Sequence, residues 1–418
     1  MKRVLFVSEA VTLAQVVRLV QLARALPVHE YELHFASARF DDVVFADLYV
    51  HRHEIVSLSA AEVEKKVARG ARIYGERTLR RYLKDDLRVI DEVKPDLIVG
   101  DLRWSLLAAA PARGIPLASL INAYWSPWRT QRAFPLPDHP IVRLLGERLA
   151  AEYFPKALPF VFRHFAAPVN AIRRDFGLPP FPGLQELIVA GDLTLYADVP
   201  ELVPLEGAPL SHHFLGAVQW APRVSPPDWW NALEERAGEK PLIYVTLGSS
   251  GQLRALPAIL EALAELPVEV MLATAGRKLD RADRPLPANV HAAALLPGDE
   301  AARRARLVLC NGGSTTGYQA LAEGRPVIGV PWNLDQYLAM SAIRDAGAGE
   351  LLRASTLTPA VVRAAVERAL AGEFDAGARR AQIALARHDA GAAFRALVEK
   401  TLGSRSGGGH SDTSRTSV

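Results

Sequence analysis

Short apolar runs alternate with amphipathic segments along most of this chain. The run at residues 4–7 is typical of a buried strand, and apolar positions then recur with a helical period over residues 13–23. The same alternation restarts at residues 242–247 and continues into an amphipathic segment at 256–266. Strands that alternate with helices predict parallel sheets covered by helices on both faces. We therefore expect an α/β protein.

The alternation also predicts a domain organisation. The 418 residues are too many for one ordinary core. We expect a first α/β domain over residues 1–220 and a second over 241–375, joined by a linker at 221–240. A final helix is predicted over 376–402, and the Gly/Ser-rich residues 403–418 are predicted to be disordered.

Composition narrows the class of protein. The net charge of +3 is too small to indicate a dedicated nucleic-acid binder. The single cysteine, Cys310, excludes an intrachain disulfide framework and fits a reducing cytoplasm. The first apolar run ends at Ser8 and Glu9, too early for a signal peptide, and no run approaches the ~20 residues that span a bilayer. We expect a cytoplasmic protein.

One segment is strongly basic. Residues 65–88 hold nine Lys or Arg against three Asp or Glu, mixed with apolar side chains. A solvated amphipathic helix explains this composition, and so does a face that contacts an anionic membrane surface or an acidic acceptor. Peripheral contact at the inner membrane surface is therefore one of two open interpretations.

A glycine-rich turn follows the apolar run at residues 307–310. Gly312 and Gly313 let a ligand approach the backbone, and the free N–H groups of the helix that follows suit a phosphate. Three hydroxyl side chains come next, those of Ser314, Thr315 and Thr316. An ordinary strand–helix turn is the alternative interpretation.

Adjacent Asp335 and Gln336 lie one strand–helix unit further along. A carboxylate beside an amide can bind neighbouring hydroxyls of a sugar. The alternative is that Asp335 is a helix N-cap.

Together, residues 310–336 resemble the signature of GT-B glycosyltransferases, in particular the UDP-glycosyltransferases and the macrolide or antibiotic glycosyltransferases. The matching positions are Gly312, Gly313, Thr316, Ala320, Leu321, Gly324, Pro326, Asp335 and Gln336. The resemblance implies two Rossmann-like domains that face a central cleft, with the last helix crossing back to the first domain. It also implies a hexosyltransferase that moves a sugar from a UDP- or dTDP-linked donor to a hydroxyl of a hydrophobic acceptor, with inversion and without a cofactor.

The resemblance assigns a donor site. Its members are Gly248, Ser249, Asn311, Gly312, Gly313, Ser314, Thr315, Thr316, Gln319, Asp335 and Gln336. Three of them depart from the family pattern. Asn311 replaces a diphosphate-binding His, Gln319 replaces a Glu that holds the ribose, and Thr315 replaces a Gly. We expect either an unusual donor or weaker donor binding.

The catalytic position departs further. The family places a general-base His at the start of the first helix and orients it with an Asp. Gln15 stands at the His position and Asp101 matches the Asp, although an Asp just past a strand is often a helix cap. Glutamine has no titrating nitrogen, so Gln15 is no base. Glu9, Asp101 directly or through water, or a His of the irregular region 124–178 are the alternative bases.

Positioning of the substrates alone could also leave a slow enzyme. The rival functions are a non-catalytic sugar-nucleotide-binding partner protein and a GT-B-fold sugar-nucleotide isomerase.

Metal ligands are not evident. The pairs His51/His53 and His212/His213 have no convincing third ligand nearby, and no Asp-x-Asp pair is present. A metal-independent reaction is expected, in which a helix N-terminus and hydroxyls stabilise the departing diphosphate. The resemblance places the acceptor pocket near Trp125, Trp128 and Phe134, which either line a hydrophobic acceptor or belong to the core.

Overall fold

The computed structural model describes residues 1–138, 142, 145–248, 253–277 and 285–406. Two wholly parallel sheets follow one another along the chain, each with helices packed against it. The predicted α/β class with two Rossmann-like domains is therefore confirmed.

Seven strands form the first sheet, in the order β3-β2-β1-β4-β5-β6-β7. They are β1 Lys2–Ser8, β2 Tyr31–Ser37, β3 His51–Glu54, β4 Leu97–Asp101, β5 Leu117–Ile121, β6 Leu193–Tyr196 and β7 His212–Phe214. The edge strand β3 was not predicted, because its four residues are all polar and lack the apolar run of a central strand.

Within the described residues, seven helices with defined bounds accompany this sheet. They are α1 Leu13–Arg24, α2 Asp42–Phe45, α3 Ala60–Ala68, α4 Glu76–Val93, α5 Leu106–Ala112, α6 Glu147–Arg174 and α7 Leu184–Ile188. The sequence predicted an irregular region with one short helix at 140–153, and this is wrong for α6. Three prolines, Pro155, Pro159 and Pro168, concealed a 28-residue helix whose buried face packs on α4 and α5.

Six strands form the second sheet, in the order β10-β9-β8-β11-β12-β13. They are β8 Leu242–Thr246, β9 Glu269–Ala273, β10 Val290–Ala293, β11 Leu307–Cys310, β12 Val327–Gly329 and β13 Gly349–Leu351. The helices of this half are α8 Leu233–Ala237, α9 Leu256–Ala264, α10 Gly298–Arg304, α11 Ser314–Ala322, α12 Leu334–Asp345, α13 Pro359–Leu370 and α14 Asp375–Ala386.

The C-terminal segment differs from its prediction. The single helix expected over 376–402 is two helices, α14 and α15 (Ala390–Ser406), separated at residues 387–389. Helix α14 packs on α11 of the second domain, whereas α15 packs on α1 of the first. Residues 403–406, predicted to be disordered, belong to α15, and residues 407–418 lie outside the described chain.

The loops that follow the strands of both sheets meet at one interface. Tyr124 and Trp125, just after β5, contact Asp335 just after β12. Residues 215–227 connect the two sheets without helix or strand. In the described part of the chain, no helix has the length and apolar character needed to cross a membrane.

Candidate active site at the domain interface

Asp101 is the last residue of β4 and is fully buried. Arg18, from the middle of α1, donates from Nε to Oδ2 at 2.9 Å and from Nη2 to Oδ1 at 2.8 Å. Burial raises the pKa of Asp101 to about 6, although the Arg18 charge opposes that shift. The carboxylate is thus neutralised by an arginine from α1.

Gln15 has a local role in the same helix. Its side-chain oxygen accepts a hydrogen bond from the backbone N–H of Thr12 at 3.0 Å, as part of a capping box at the start of α1. Among the described residues, no hydrogen bond joins Gln15 to Asp101. The two sequence-predicted catalytic positions therefore lie on neighbouring elements, but Arg18 is the residue that contacts the aspartate.

The Arg18–Asp101 pair continues into a network that crosses the domain interface. Arg18 Nη1 donates to Asn122 Oδ1 at 2.7 Å, and Asn122 Nδ2 donates to Asp198 Oδ2 at 3.1 Å. The hydroxyl of Tyr318, on α11 of the second domain, donates to the other oxygen of Asp198. Burial raises the pKa of Asp198 to about 6. The network ties α1 of the first domain to α11 of the second.

Sequence reasoning missed this network. Asn122 directly follows β5 and Asp198 lies two residues after the end of β6, so polar residues at carboxyl ends of strands were an available signal. Arg18 carried a further signal, since it lies three residues after Gln15 on a helix whose neighbouring positions are apolar.

Glu9, one of the alternative bases, is enclosed in a separate buried cluster. Its carboxylate accepts from Tyr82 Oη at 2.8 Å and from Arg103 Nη1 at 3.2 Å. Burial raises its pKa to about 7, with Arg103 opposing the shift. Both carboxylate oxygens are therefore bound by side chains of the first domain.

The glycine-rich turn has the geometry of an anion site. Gly312 has φ +79°, and a Cβ there would lie 2.6 Å from Met340 Cγ. Gly313 is the N-cap of α11, and its N–H donates to Asn311 Oδ1 at 3.1 Å. The first turn of α11 therefore presents backbone N–H groups and the hydroxyls of Ser314, Thr315 and Thr316.

Two other predicted donor residues flank this turn. Gly248 has φ +58°, and a Cβ there would lie 3.5 Å from Asn311 Nδ2, so β8 and β11 end side by side. Gln319 donates from Nε2 to the carbonyl of Trp220 in the interdomain connection. Ser249 lies outside the described residues.

Asp335 is at the centre of the interface. Its Oδ1 accepts from Trp125 Nε1 at 2.8 Å and from Tyr124 Oη at 3.2 Å. The N-cap of α12 is Asn333, whose side chain accepts from the Gln336 N–H at 3.0 Å. The alternative interpretation of Asp335 as a helix cap is therefore wrong, and Asp335 is an exposed residue.

Tyr124 connects this carboxylate to the start of α11, where the sequence predicts that an anion binds. Its hydroxyl also forms a hydrogen bond with Ser314 at the start of α11, and burial raises the pKa of Tyr124 well above its usual value. Trp125 packs beside Phe134 with ring centroids 6.2 Å apart, and Phe134 contacts Phe162 of α6 at 5.1 Å. Trp128, by contrast, packs on His212. Aromatic side chains thus form the first-domain wall next to Asp335.

Known proteins share this arrangement of sequence and fold. Residues 257–393 match the family described as "Erythromycin biosynthesis protein CIII-like, C-terminal domain". A PGL/p-HBAD biosynthesis glycosyltransferase of Mycobacterium tuberculosis is 47% identical over 382 residues, which cover 91% of this chain and 87% of that protein. This chain belongs to the same glycosyltransferase family.

Two further relatives support the family assignment and the GT-B fold. A PGL/p-HBAD biosynthesis rhamnosyltransferase of Mycobacterium bovis is 45% identical over 403 residues, covering 96% of this chain and 88% of that protein. The structure of the glycosyltransferase VinC in complex with DTDP has a TM-score of 0.68 at 20% identity, over 96% of this chain and all of that one. The predicted GT-B architecture and glycosyltransferase class are confirmed, and the roles of individual residues stay predictions.

Proposed function

We propose that this glycosyltransferase moves a hexose from a dTDP- or UDP-linked donor to a hydroxyl of a hydrophobic acceptor. The observation that carries the proposal is the position of Asp335. It lies beside the anion site at the start of α11 and is held by aromatic residues of the opposite domain. The known complex of VinC with DTDP favours a dTDP-linked donor, and the related rhamnosyltransferase favours a deoxyhexose.

The diphosphate would bind at the turn formed by Gly312 and Gly313. As the bond from the anomeric carbon to the diphosphate breaks, negative charge develops on the leaving oxygen. The N–H groups and the dipole at the start of α11 stabilise that charge, together with the side chains of Ser314 and Thr315. No metal is needed in this scheme, because fixed donors perform the neutralisation.

The sugar would bind to Asp335. Trp125 and Tyr124 both donate to Oδ1, which fixes the orientation of the carboxylate. Oδ2 accepts no hydrogen bond from the described residues and can accept one from a sugar hydroxyl. A carboxylate that is held in one orientation positions the sugar as well as binding it.

The acceptor hydroxyl would attack the anomeric carbon from the side of the aromatic wall, and the resemblance implies inversion. Gln15 has no titrating nitrogen, and Asp101 and Glu9 are bound inside the first domain. We propose that Arg18 and Asp101 are positioning residues, which hold α1 against β4, and that the hydroxyl proton passes to solvent water or to the departing diphosphate as the new glycosidic bond forms. We expect slower transfer than a histidine base would give.

A product assay tests this function. The protein is incubated with dTDP- and UDP-hexoses, with and without a phenolic or lipidic alcohol, and release of the nucleoside diphosphate is followed by chromatography. Slow donor hydrolysis that an acceptor accelerates supports a transferase. Binding without any turnover would favour the non-catalytic partner protein, and an altered sugar nucleotide formed without acceptor would favour the isomerase.

A cytoplasmic location stays a prediction of the sequence. We also propose peripheral contact with a membrane surface.

A further inference from the structure

A row of large apolar side chains is exposed on α6. Leu149, Tyr153 and Phe160 are 49%, 55% and 71% exposed, although each is a large hydrophobic residue. Their spacing of four and seven residues places all three on one side of the helix. A contiguous apolar surface that stays exposed in a folded domain commonly marks an interaction site.

Cations flank these apolar side chains. Lys156 and Arg163 are exposed on the same helix, about one turn from Phe160 on either side, and Lys156 also pairs with the exposed Glu152 at 3.4 Å. Helix α4 packs along α6, and the two helices bury their inner faces in the same core. The outer side of α4 carries exposed Arg77, Arg81 and Lys84, which have no carboxylate partner among the described residues.

We propose that the outer face of α6 docks on an anionic phospholipid surface. We name this face, formed by Leu149, Tyr153, Lys156, Phe160 and Arg163, the α6 ridge. A helix of this kind lies in the plane of the interface, with its apolar side chains below the headgroups and its cations at the level of the phosphates. The proposal deepens the membrane contact proposed above and does not depend on the identity of the donor.

A second copy of the chain fits this face less well. Two-fold symmetric interfaces bring the same patch together from both subunits. Arg163 of one copy would then approach Arg163 of the other, which is unfavourable, and Glu152 of the same helix is already paired with Lys156 at 3.4 Å. An anionic lipid surface complements the same cations.

The inner face of α6 connects the proposed docking surface to the candidate active site. Phe162 points inward and contacts Phe134, which packs on Trp125 beside Asp335. One helix therefore carries the α6 ridge on its outside and part of the proposed acceptor wall on its inside. A membrane-dissolved acceptor would reach the cleft along this helix.

Flotation of the full chain with lipid vesicles tests the proposal. The vesicles consist of phosphatidylcholine alone or of equal amounts of phosphatidylcholine and phosphatidylglycerol, and no sugar nucleotide is present. We expect binding to the mixed vesicles that weakens with salt. Phe160→Ser should weaken it about ten-fold, because the side chain leaves the acyl region. Replacing Lys156 and Arg163 by Gln should weaken it roughly five-fold for each charge.

Two matched controls come from the same chain. Leu210→Ser removes a leucine that is 98% exposed elsewhere in the first domain, and Arg387→Gln removes an exposed arginine outside the ridge. Both should bind vesicles as the parent protein does. Thermal unfolding followed by circular dichroism checks that every variant is folded.

Several results would overturn the proposal. Equal binding to both kinds of vesicle would remove the role of the cations. Equal losses in Phe160→Ser and Leu210→Ser would show that the α6 ridge is not the contact. A dimer of the parent chain that Phe160→Ser converts to a monomer, with no vesicle binding by either, would assign the ridge to a second copy. Titration of each variant with dTDP-hexose separates these outcomes from a failure of the donor assignment.

Discussion

The guanidinium of Arg18 donates to both carboxylate oxygens of Asp101, and this buried pair stands where the family's histidine–aspartate pair is expected. Where Gln15 replaces the histidine, an arginine of the same helix contacts the aspartate. The Asp101 carboxylate, which the resemblance assigns to orienting a general base, is instead neutralised by Arg18 within the first domain. The pair therefore belongs to the architecture of α1 and β4.

Removing the cation of this pair tests its structural role. Arg18→Met should lower the free energy of unfolding by about 3–5 kcal/mol, because the Asp101 charge is left buried without a partner. Denaturant unfolding measures the loss. Asp101→Asn in the same chain should recover part of it, and a single variant as stable as the parent protein would contradict the role of the pair.

Restoring the family histidine should not restore a fast enzyme. In Gln15→His the new imidazole finds both oxygens of Asp101 occupied by Arg18, and the capping bond to Thr12 is lost. We expect no gain in the rate of donor hydrolysis or transfer. A general base typically contributes ~10²–10⁴-fold, so a gain of that size would show that Asp101 is available after all.

The indole of Trp125 should affect the sugar and spare the nucleotide. Trp125→Phe keeps an aromatic ring but removes the donor to Asp335 Oδ1. Loss of one hydrogen bond of about 1 kcal/mol corresponds to about a five-fold rise in Kd for a dTDP-hexose. Calorimetry with the dTDP-hexose and with dTDP measures the difference.

Trp104→Phe is the matched control, since that indole nitrogen has no hydrogen-bond partner among the described residues. An equal loss of affinity for dTDP and for the dTDP-hexose in Trp125→Phe would contradict the assignment of this contact to the sugar.

The buried carboxyls predict a pH dependence of stability. Burial raises the pKa of Asp198 from 3.8 in its ordinary state to about 6 in the folded protein. The native state therefore holds this proton more tightly than the unfolded state does. The contribution of Asp198 protonation to the free energy of unfolding is full below about pH 4 and is lost as the pH rises to about 6.

Asp198→Asn removes this titration. The lost hydrogen bonds give a constant offset, whereas the stability of the variant relative to the parent should rise between about pH 4 and pH 6, by at most about 3 kcal/mol. Denaturant unfolding across this range measures the slope, with Asp228→Asn at an exposed position as the control. A difference that falls with pH would contradict the raised pKa.

The elements that could be predicted from the sequence are those set by local pattern. Apolar runs such as residues 4–7 and 307–310 become the central strands β1 and β11, because burial on both faces requires continuous hydrophobicity. The turn at Gly312 was also predictable, because glycine is the residue that such turns favour. The structure shows why: Gly312 has a positive φ, and the close approach of Met340 leaves little room for another residue.

The parts that were missed depend on distant partners. The pairing of Arg18 with Asp101 and of Tyr318 with Asp198 joins residues 83 and 120 positions apart, and no local periodicity encodes either contact. Helix α6 was missed for the opposite reason. Its prolines disfavour a helix locally, but packing of Phe162 and its neighbours on α4 and α5 overrides that preference.

We propose above all that Asp335 binds the sugar of a nucleotide donor whose diphosphate lies at the start of α11. The most direct measurement is calorimetric titration of the parent protein and of Asp335→Ala with a dTDP-hexose and with dTDP. We expect the variant to bind dTDP as the parent does and to lose the additional affinity for the sugar. Equal loss for both ligands, or no binding of any sugar nucleotide by the parent, would contradict it.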